Sequence, residues 1–286
     1  MSEKMRLENR TAVVTGAASG IGRGIALALA KRGCNLAIAD VNDAGLAETT
    51  RLAMQLIPMA ASAPKVPSNL RVTQHHLDVS NRDAIAAFPA EVLAAHTGVD
   101  ILVNNAGVAL GGTFEQVSEE DFDWLISINL FGVVRMTRVF LPVLHKSDEA
   151  RLVSISSIFG VITPPGQTAY CASKFAVRGF SNSLRYELRG STIGVSVVHP
   201  GGINTNIARS SRAPQGASPE EVARAKAYAQ KALKMPPDRA GEIIVQGIEK
   251  REARIFVGSD AKALAFLERL APVKHWSMVE RVIPKP

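Results

Sequence analysis

Cysteine is scarce in this sequence, since Cys34 and Cys171 are the only two among 286 residues. So few cysteines exclude the disulfide framework of a small secreted domain, and no Cys/His spacing typical of a zinc site occurs. The first ten residues are charged and lack the apolar segment of a secretory signal. A run of about 18 or more apolar residues, which would cross a membrane, is also missing. We therefore expect a cytoplasmic protein without a resident metal and without a transmembrane span.

The composition is typical of a globular protein. Hydrophobic residues make up 47% and charged residues 21%, which is enough apolar material for a large core. The net charge is +7, but the basic residues are spread along the chain among acidic ones. This pattern favours a basic surface that attracts anionic metabolites and argues against nucleic acid as a partner. The length alone permits one domain or two.

Short β-branched runs alternate with longer segments of helical period throughout the chain. The predicted strands cover residues 11–15, 35–40, 71–77, 100–103, 151–156, 193–198 and 254–257. The predicted helices cover residues 21–32, 43–57, 82–96, 118–145, 169–189, 219–233 and 238–251. Continuously apolar strands are buried on both faces, as in a parallel sheet covered by helices. The prediction is an α/β fold with a doubly wound, mostly parallel seven-stranded sheet, Rossmann-like, in three αβα layers.

Three segments lie outside this alternation. Residues 58–68 contain three prolines and are predicted to form a surface loop. Residues 202–237 are predicted to form a lid over the substrate, with a helix whose start carries a capping box of Ser218 and Glu221. Residues 259–286 follow the core of about 10–258. Their apolar positions recur at helical spacing, which predicts a helix docked on the core, on another subunit or on a membrane surface.

A glycine-rich turn follows the first strand, Thr15-Gly-Ala-Ala-Ser-Gly-Ile-Gly22. Glycines at a turn that opens a helix let the backbone approach a pyrophosphate, whose charge the free N–H groups and the helix dipole stabilise. The spacing differs from the G-x-G-x-x-G fingerprint. The predicted cofactor contacts in this turn are Gly16, Ser19, Gly20, Ile21 and Gly22.

Asp40 closes the second predicted strand. An acidic side chain there accepts hydrogen bonds from the adenosine ribose hydroxyls and repels a 2′-phosphate. No basic residue stands at Ser19, Val41 or Asn42 to bind such a phosphate. Asp40 therefore favours NAD over NADP, although it could also serve only as a cap of the next helix.

Tyr170 and Lys174 are four residues apart in a predicted helix, so they share one face. An ammonium beside a phenol lowers the phenol pKa towards the working pH, which would make Tyr170 a proton donor and acceptor. Ser157 and Asn129 lie upstream. Such a pair alone is usually a surface pair, and its functional interpretation depends on the glycine turn, Asp40 and the pair Ser156-Ser157.

Together these motifs resemble the short-chain dehydrogenase/reductase family, from about residue 11 to residue 257. The matching elements are Thr15 to Gly22, Asp78-Val79, Asn104 to Gly107, Asn129, Ser156-Ser157, Tyr170 with Lys174, and Pro200-Gly201 with Thr205. The resemblance implies a catalytic tetrad of Asn129, Ser157, Tyr170 and Lys174, with Ser157 preferred to Ser156. It implies that Lys174 also binds the nicotinamide ribose and that Asn129 fixes a water that relays protons.

The resemblance also implies further cofactor contacts and an oligomer. Asp78 and Val79 would contact adenine. Asn105, Ala106 and Gly107, after Asn104, would line the cofactor cleft. Pro200, Gly201, Ile203 and Thr205 would hold the carboxamide end and the phosphates. The long helices would form the interfaces of a homodimer or homotetramer.

The predicted function is an NAD(H)-dependent oxidoreductase that interconverts a secondary alcohol and a ketone. The loops at residues 108–110 and 158–166 are apolar, which favours an apolar substrate, whereas Arg209 and Arg212 of the lid could recognise a carboxylate. The alternatives are an NADPH-dependent ketoreductase and a regulator that senses nucleotides without catalysis. His75, His76, His199 and Cys171 are interpreted as packed or structural residues. Because the motifs must converge on one cleft, residues 1–286 are predicted to form a single domain.

Overall fold

Seven strands form one sheet in the computed structural model of the chain, which describes residues 4–61 and 70–281. The strands are β1 (Thr11–Thr15), β2 (Asn35–Asp40), β3 (Val72–His76), β4 (Ile101–Asn104), β5 (Ala150–Ile155), β6 (Ile193–Pro200) and β7 (Arg254–Val257). Their order across the sheet is β3-β2-β1-β4-β5-β6-β7, and every neighbouring pair is parallel. The order reverses at β1 and β4, so the predicted doubly wound, Rossmann-like fold is confirmed.

Helices cover both faces of this sheet. They are α1 (Gly20–Ala30), α2 (Asp43–Ala61), α3 (Arg82–Ala95), α4 (Glu119–Ile126), α5 (Val133–Leu144), α6 (Thr168–Glu187), α7 (Pro219–Ala232), α8 (Pro237–Glu249), α9 (Ser259–Leu270) and α10 (His275–Val279). Apolar side chains of α1, α2 and α8 pack on one face, and those of α3, α5 and α6 pack on the other. The strands β1, β4 and β5 between them are buried along their whole length, as the apolar runs predict.

The contact between α1 and α8 depends on two glycines. A Cβ atom on Gly24 would lie 2.5 Å from the carbonyl oxygen of Pro237, and one on Gly241 would lie 2.1 Å from the carbonyl carbon of Gly24. No side chain fits at either position without moving a backbone. The backbones of α1 and α8 therefore come into close contact where the helices cross. This contact packs a late segment of the chain against the first helix.

The structure differs from the sequence prediction at the end of the second helix. The second helix continues to Ala61, past the predicted end at residue 57, and the rest of the predicted loop, residues 62–69, lies outside the described residues. The three prolines of residues 58–68 favour a loop, but α3 and α5 also contain a proline, Pro89 and Pro142. Other residues of α3 and α5 are buried in the core, which compensates for the one backbone hydrogen bond that each of these two prolines removes.

The predicted helix over residues 118–145 is divided in the structure. A π-helical turn, Ser127–Gly132, joins α4 to α5 and contains Asn129. Within the described residues, this combined segment, Glu119–Leu144, has the length and apolar composition of a membrane-crossing helix. It is nevertheless packed in the fold, because Met136 and Phe140 are buried in the core.

The C-terminal helices pack on the core. Ala261 of α9 is buried with Ile158 and Ile162, and Trp276 of α10 lies against the same cluster. This contact supports the first of the three docking partners predicted for the extension. It also places α9 and α10 beneath the loop that connects Ser157 to Tyr170. Residues 282–286 lie outside the described residues.

Candidate active site

The predicted site residues lie at the carboxyl ends of the parallel strands. The glycine-rich turn follows β1, Asp40 ends β2, Asn104 ends β4, Ser157 follows β5 and Pro200 ends β6. Because all seven strands are parallel, these ends share one edge of the sheet. Open α/β sheets bind their ligands at this edge, next to the point where the strand order reverses.

Tyr170 and Ser157 lie next to each other. The Ser157 hydroxyl accepts from the N–H of Phe159 at 3.1 Å and is close enough to the Tyr170 hydroxyl to affect its pKa. Burial raises the pKa of Tyr170 to about 12, against the smaller lowering effect of Ser157. Tyr170 therefore keeps its proton at neutral pH.

Lys174 lies beside this pair, but the pKa of the phenol is raised in spite of it. Its Nζ atom is 5.5 Å from the centroid of the Tyr170 ring and donates to the carbonyl of Ile155 at 3.2 Å. The expectation that the ammonium brings the pKa of Tyr170 below 10 is wrong for the chain alone, because burial of the phenol outweighs it. Burial also lowers the pKa of Lys174 to about 8, so the lysine is mostly charged at neutral pH.

Asn129 is fully buried in the π-helical turn. Its amide nitrogen donates to the Val108 carbonyl at 3.0 Å and to the Ser173 hydroxyl at 3.2 Å, and its amide oxygen accepts from the Val108 N–H at 2.8 Å. A Cβ atom on Gly107 would lie 3.1 Å from this oxygen and 3.4 Å from Lys174 Nζ. The structure thus brings Asn129, Gly107 and Lys174 together. Single π-helical turns occur frequently at functional sites.

The two serines after β5 have different surroundings. The Ser156 hydroxyl is buried and donates to the backbone carbonyl of Lys174 at 2.8 Å, whereas the Ser157 side chain lies next to Tyr170. The Ser157 carbonyl oxygen lies 2.9 Å from Nδ1 of His199. His199 is fully buried and stacks on Phe256, and its pKa falls to about 4 because of burial. His199 is therefore a neutral packed residue, as the sequence predicts.

The glycine-rich turn approaches other backbone closely. Gly16 has a φ of +66°, and a Cβ atom on it would lie 2.7 Å from the Asn105 amide nitrogen. Gly22 would place a Cβ atom 2.1 Å from the Gly16 carbonyl oxygen, and Gly20 approaches Thr205. Ser19 and Ile21 lie between these glycines. The first turn of α1 contains no acidic residue and no capping side chain, so its N–H groups are open to an anion. This turn fits the pyrophosphate of a dinucleotide.

The Asn105 side chain holds the glycine-rich turn in place. Its amide nitrogen donates to the carbonyls of Thr15 and Gly16 at 2.9 and 3.1 Å. The backbone N–H groups of Asn105 and Ala106 both donate to the Thr15 hydroxyl. The structure places Asn105 and Ala106 next to the predicted cofactor cleft, but the Asn105 side chain is engaged with the turn itself.

Asp40 lies where the sequence places it, at the end of β2. One carboxylate oxygen accepts from the Ala18 N–H at 3.0 Å, and the other accepts from the Asn42 N–H at 3.1 Å. The cap of α2 is Asn42, whose side chain accepts from Gly45, so Asp40 is not needed for that role. Arg23, a cation in this region, donates to the carbonyl oxygens of Ala18 and Gly45 and to the Thr49 hydroxyl.

The loop after β6 is fixed by a residue that the sequence motifs did not indicate. Asp260, in the first turn of α9, accepts from the Gly202 N–H at 2.7 Å. A Cβ atom on Gly201 would lie 2.3 Å from the same carboxylate. The neighbouring Ile203 is buried, and Thr205 reaches the glycine-rich turn. No sequence signal connects residues about sixty positions apart, so only the fold reveals this contact.

Asp78 and Val79 follow β3. The Asp78 carboxylate accepts from the N–H and the hydroxyl of Ser80, and the buried Val79 packs on Gly132 of the π-helical turn. Asp78 is exposed, so its position is compatible with the predicted contact to adenine.

The lid arginines are engaged by the protein itself. The Arg212 guanidinium donates to the Asp121 carboxylate at 2.5 Å and lies 3.6 Å from the centre of a Trp124 ring. Arg209 donates to the side chain of Asn206. The possibility that these arginines recognise a substrate carboxylate is therefore not supported. The capping box of Ser218 and Glu221 at the start of α7 is confirmed.

The remaining cysteine and histidine predictions agree with the structure. Cys171 is buried, and burial raises the pKa of its thiol to about 11, which makes it a poor nucleophile. His75 packs on Phe88, and His76 contacts Asp43 on the other face of the strand. Among the described residues, no group of three or more His, Cys, Asp or Glu side chains could hold a metal ion.

A glycine-rich turn at this edge of a doubly wound sheet is typical of dinucleotide-binding proteins, and comparison with known proteins identifies the family of this chain. The family described as short chain dehydrogenase matches residues 10–216. The chain is 38% identical over 281 residues to the oxidoreductase SadH of Mycobacterium tuberculosis, covering 97% of this chain and 96% of that protein. It is 34% identical over 231 residues to the 3-oxoacyl-(acyl-carrier-protein) reductase FabG of Thermotoga maritima, covering 77% and 89%.

A solved structure gives the same result. A short chain dehydrogenase/reductase from Burkholderia phymatum in complex with NAD superimposes with a TM-score of 0.80 at 29% identity, covering 93% of this chain and 95% of that one. The chain belongs to the short-chain dehydrogenase family and is an oxidoreductase of that family. The resemblance indicated by the sequence motifs is confirmed.

Proposed function

We propose that the protein interconverts a secondary alcohol and a ketone with NAD(H) as its cofactor. The observation that carries this proposal is the position of Tyr170 next to Ser157 and Lys174, at the same sheet edge as the open glycine-rich turn. At this edge, Tyr170 is available as a proton donor, and the glycine-rich turn is available to bind a pyrophosphate.

Bound NAD(H) would supply or accept the hydride, and side chains of the protein would supply or accept the proton. The hydroxyls of Ser157 and Tyr170 both donate hydrogen bonds to the substrate oxygen. Tyr170 gives its proton to that oxygen during reduction and removes the proton during oxidation. Lys174 stabilises the phenolate that reduction leaves, because an ammonium favours a nearby negative charge. Asn129, next to Lys174, belongs to the same proton path.

The glycine-rich turn and the loops around it would hold the cofactor. The pyrophosphate would be held by Gly16, Ser19, Gly20, Ile21 and Gly22, and Asp40 would accept from the ribose hydroxyls. The remaining proposed contacts are Asp78, Val79, Asn105, Ala106, Gly107, Tyr170, Lys174, Pro200, Gly201, Ile203 and Thr205. For Asn105 the contact is limited to the surface beside the turn, since its side chain binds the turn.

Asp40 supports NAD over NADP. A 2′-phosphate on the adenosine ribose would lie next to this carboxylate, and like charges repel. Arg23 is engaged by oxygen atoms of the protein, and among the described residues we find no second cation bound to the turn. The solved relative from Burkholderia phymatum is bound to NAD. An NADPH-dependent ketoreductase is the second candidate within the family.

An apolar substrate is supported by the walls beside Tyr170. Leu110, Leu125 and Ala169 are buried in a cluster against which Val108 and the Tyr170 ring pack, and Phe159 meets the Tyr170 ring edge-on at 6.2 Å. Arg212 is neutralised by Asp121, so it adds little attraction for an acid. We also propose that the chain forms one domain, acts in the cytoplasm and assembles as a homodimer or homotetramer.

The role of Tyr170 is tested with two variants, each of which replaces one tyrosine of α6. Tyr170→Phe should lower kcat at least a thousandfold for every ketone and alcohol tested, because the proton donor is lost, while the NADH dissociation constant changes little. Tyr186→Phe removes the same hydroxyl from the exposed end of α6 and should leave kcat unchanged. Substantial turnover by Tyr170→Phe would refute the assignment.

Assays of the unmodified protein with NAD(H) and NADP(H), over ketones of graded polarity, decide the cofactor and the substrate class. A preference for NADPH or for small acidic substrates would refute those parts of the proposal.

A further inference from the structure

A cavity lies at the amino edge of the sheet, opposite the candidate active site. Its volume is about 400 Å³, and it is bounded by the starts of β5 and β6 and by the turn that follows α6. Four arginines line it, Arg151, Arg185, Arg189 and Arg251. Such a concentration of guanidinium groups around one cavity needs a compensating charge.

The protein provides little of that charge. Glu149 is, within the described part of the chain, the one acidic residue that lines the cavity, and its carboxylate accepts from Arg251. Arg185 is half-buried and donates to the carbonyls of Val195 and Ala253 and to the Asn182 side chain, all of which are neutral.

Arg151 is the most constrained of the four. It is only 6% exposed, and its guanidinium donates through Nη2 to the Ser196 hydroxyl at 2.7 Å and, more weakly, to the Glu252 carbonyl. Its buried Nε atom has no hydrogen-bond partner. Its Nη1 atom lies where a Cβ atom on Gly194 would be, so the absence of a side chain at Gly194 leaves room for the guanidinium at the cavity wall. A buried cation with neutral partners and an unused donor is costly unless an anion neutralises it.

The electrostatics agree with this geometry. Burial, together with the smaller effects of the Arg251 and Arg185 charges and against the opposing effect of Glu149, lowers the pKa of Arg151 to about 10. The neighbouring arginines therefore repel one another in the absence of a ligand. An oxyanion placed between them would relieve this repulsion.

We propose that this cavity is a binding site for an oxyanion, the phosphate or carboxylate group of a small metabolite, with Arg151 as its buried donor and Arg185 and Arg189 at its mouth. Guanidinium groups suit both oxyanions because their planar forks donate two hydrogen bonds at once. The volume exceeds that of a bare phosphate and leaves room for a small attached group. The site is remote from the glycine-rich turn, so its ligand does not compete with the dinucleotide.

The experiment measures binding of inorganic phosphate, sulfate and citrate to the protein saturated with dinucleotide, so that the glycine-rich turn is occupied. Ionic strength is held constant with sodium chloride, and the rise in melting temperature is followed against anion concentration. We expect saturable stabilisation by at least one oxyanion, and the comparison of phosphate with citrate separates the two chemistries.

Variants locate the site. The double substitution Arg185→Gln with Arg189→Gln should weaken oxyanion binding at least tenfold and leave the dinucleotide affinity unchanged. The matched control Arg82→Gln removes an exposed arginine at the other edge of the sheet and should leave both affinities unchanged. Arg151→Met should abolish the oxyanion response, and the double variant gives the answer if this one does not fold. Stabilisation no greater than that by chloride, or an undiminished response in the double variant, would refute the site.

Discussion

At Lys174, burial disfavours the positive charge that the proposed chemistry requires. Lys174 is 4% exposed, and its ammonium donates to one backbone carbonyl. Burial lowers its pKa to about 8. A buried charge of this kind lowers the stability of a fold, and it persists where function requires it. The same holds for Arg151 at the opposite edge of the sheet, which is also buried among neutral partners.

Replacement of Lys174 by methionine should raise stability and remove activity. The pKa is about 8 in the folded chain and about 10.5 in the unfolded chain, so the unfolded chain binds more protons between these values. Stability of the unmodified protein therefore rises with pH across this window. At pH 7 we expect Lys174→Met to increase the free energy of unfolding by about 2 kcal/mol, an advantage that shrinks as the pH approaches 10.

Urea unfolding of both proteins at pH 7, 8, 9 and 10 measures this difference. The difference between the two proteins isolates the lysine from other groups that titrate above pH 9. A variant less stable than the unmodified protein at pH 7 would show that the hydrogen bond to Ile155 outweighs the cost of burying the charge.

At the scale of elements, the C-terminal helix α9 supports the proposed cofactor site from outside the family match, which ends at residue 216. Asp260 holds the Gly202 N–H, while Ala261, one residue further on, is buried under the loop that carries Ser157. One helix turn therefore fixes two loops of the site. Its exposed side carries Phe266 and Leu270, which do not contact this core.

Asp260→Ala should weaken dinucleotide binding through the loop after β6. Loss of the 2.7 Å hydrogen bond leaves Gly202 without its acceptor, so the loop must be ordered by the ligand itself. We expect the NADH dissociation constant, measured by fluorescence, to rise about tenfold, with a smaller change of kcat at saturating NADH. Asp260→Asn keeps an acceptor oxygen and should restore part of the affinity. Glu268→Ala, on the same helix, should change neither value, and an equal effect of that control would disprove the role of Asp260.

At the scale of the whole molecule, Arg32 connects the first helix of the chain to α8. It forms a two-pronged ion pair with Glu242, with bonds of 2.6 and 3.0 Å, and donates to Glu249 at 2.8 Å. This network lies beside the close crossing of α1 and α8 at Gly24 and Gly241. It joins segments more than 200 residues apart, and it lowers the pKa of Glu242 to about 2.

Arg32→Met should lower the free energy of unfolding at pH 7 by about 1–2 kcal/mol, because the pair is partly shielded from solvent. The pKa of Glu242 is lower in the folded chain, so the contribution is complete above pH 4.5 and disappears as the pH falls towards 2. Denaturation at pH 7 and pH 3 should therefore give a smaller difference at pH 3. Arg51→Met, which removes an exposed pair within α2, is the control and should leave the free energy of unfolding nearly unchanged. A difference that grows at pH 3 would contradict the role of the ion pairs.

The sequence by itself determined the sheet and the positions of the candidate site residues. Strands of a parallel sheet are apolar throughout, so their signal is local, and β1, β2 and β7 have the bounds that the sequence predicts. The glycine turn, Asp40 and the pair Tyr170 and Lys174 are also short motifs whose residues lie near one another in the chain.

Only the tertiary structure decided how these groups behave. The pKa of Tyr170 depends on how deeply the fold buries its ring, and Arg212 is withdrawn from any substrate by Asp121, about ninety residues away. The support of Gly202 by Asp260 and the gathering of arginines around Arg151 likewise join distant segments. Local sequence patterns do not record such contacts, because burial and charge pairing arise from packing between elements and not from the spacing of residues along the chain.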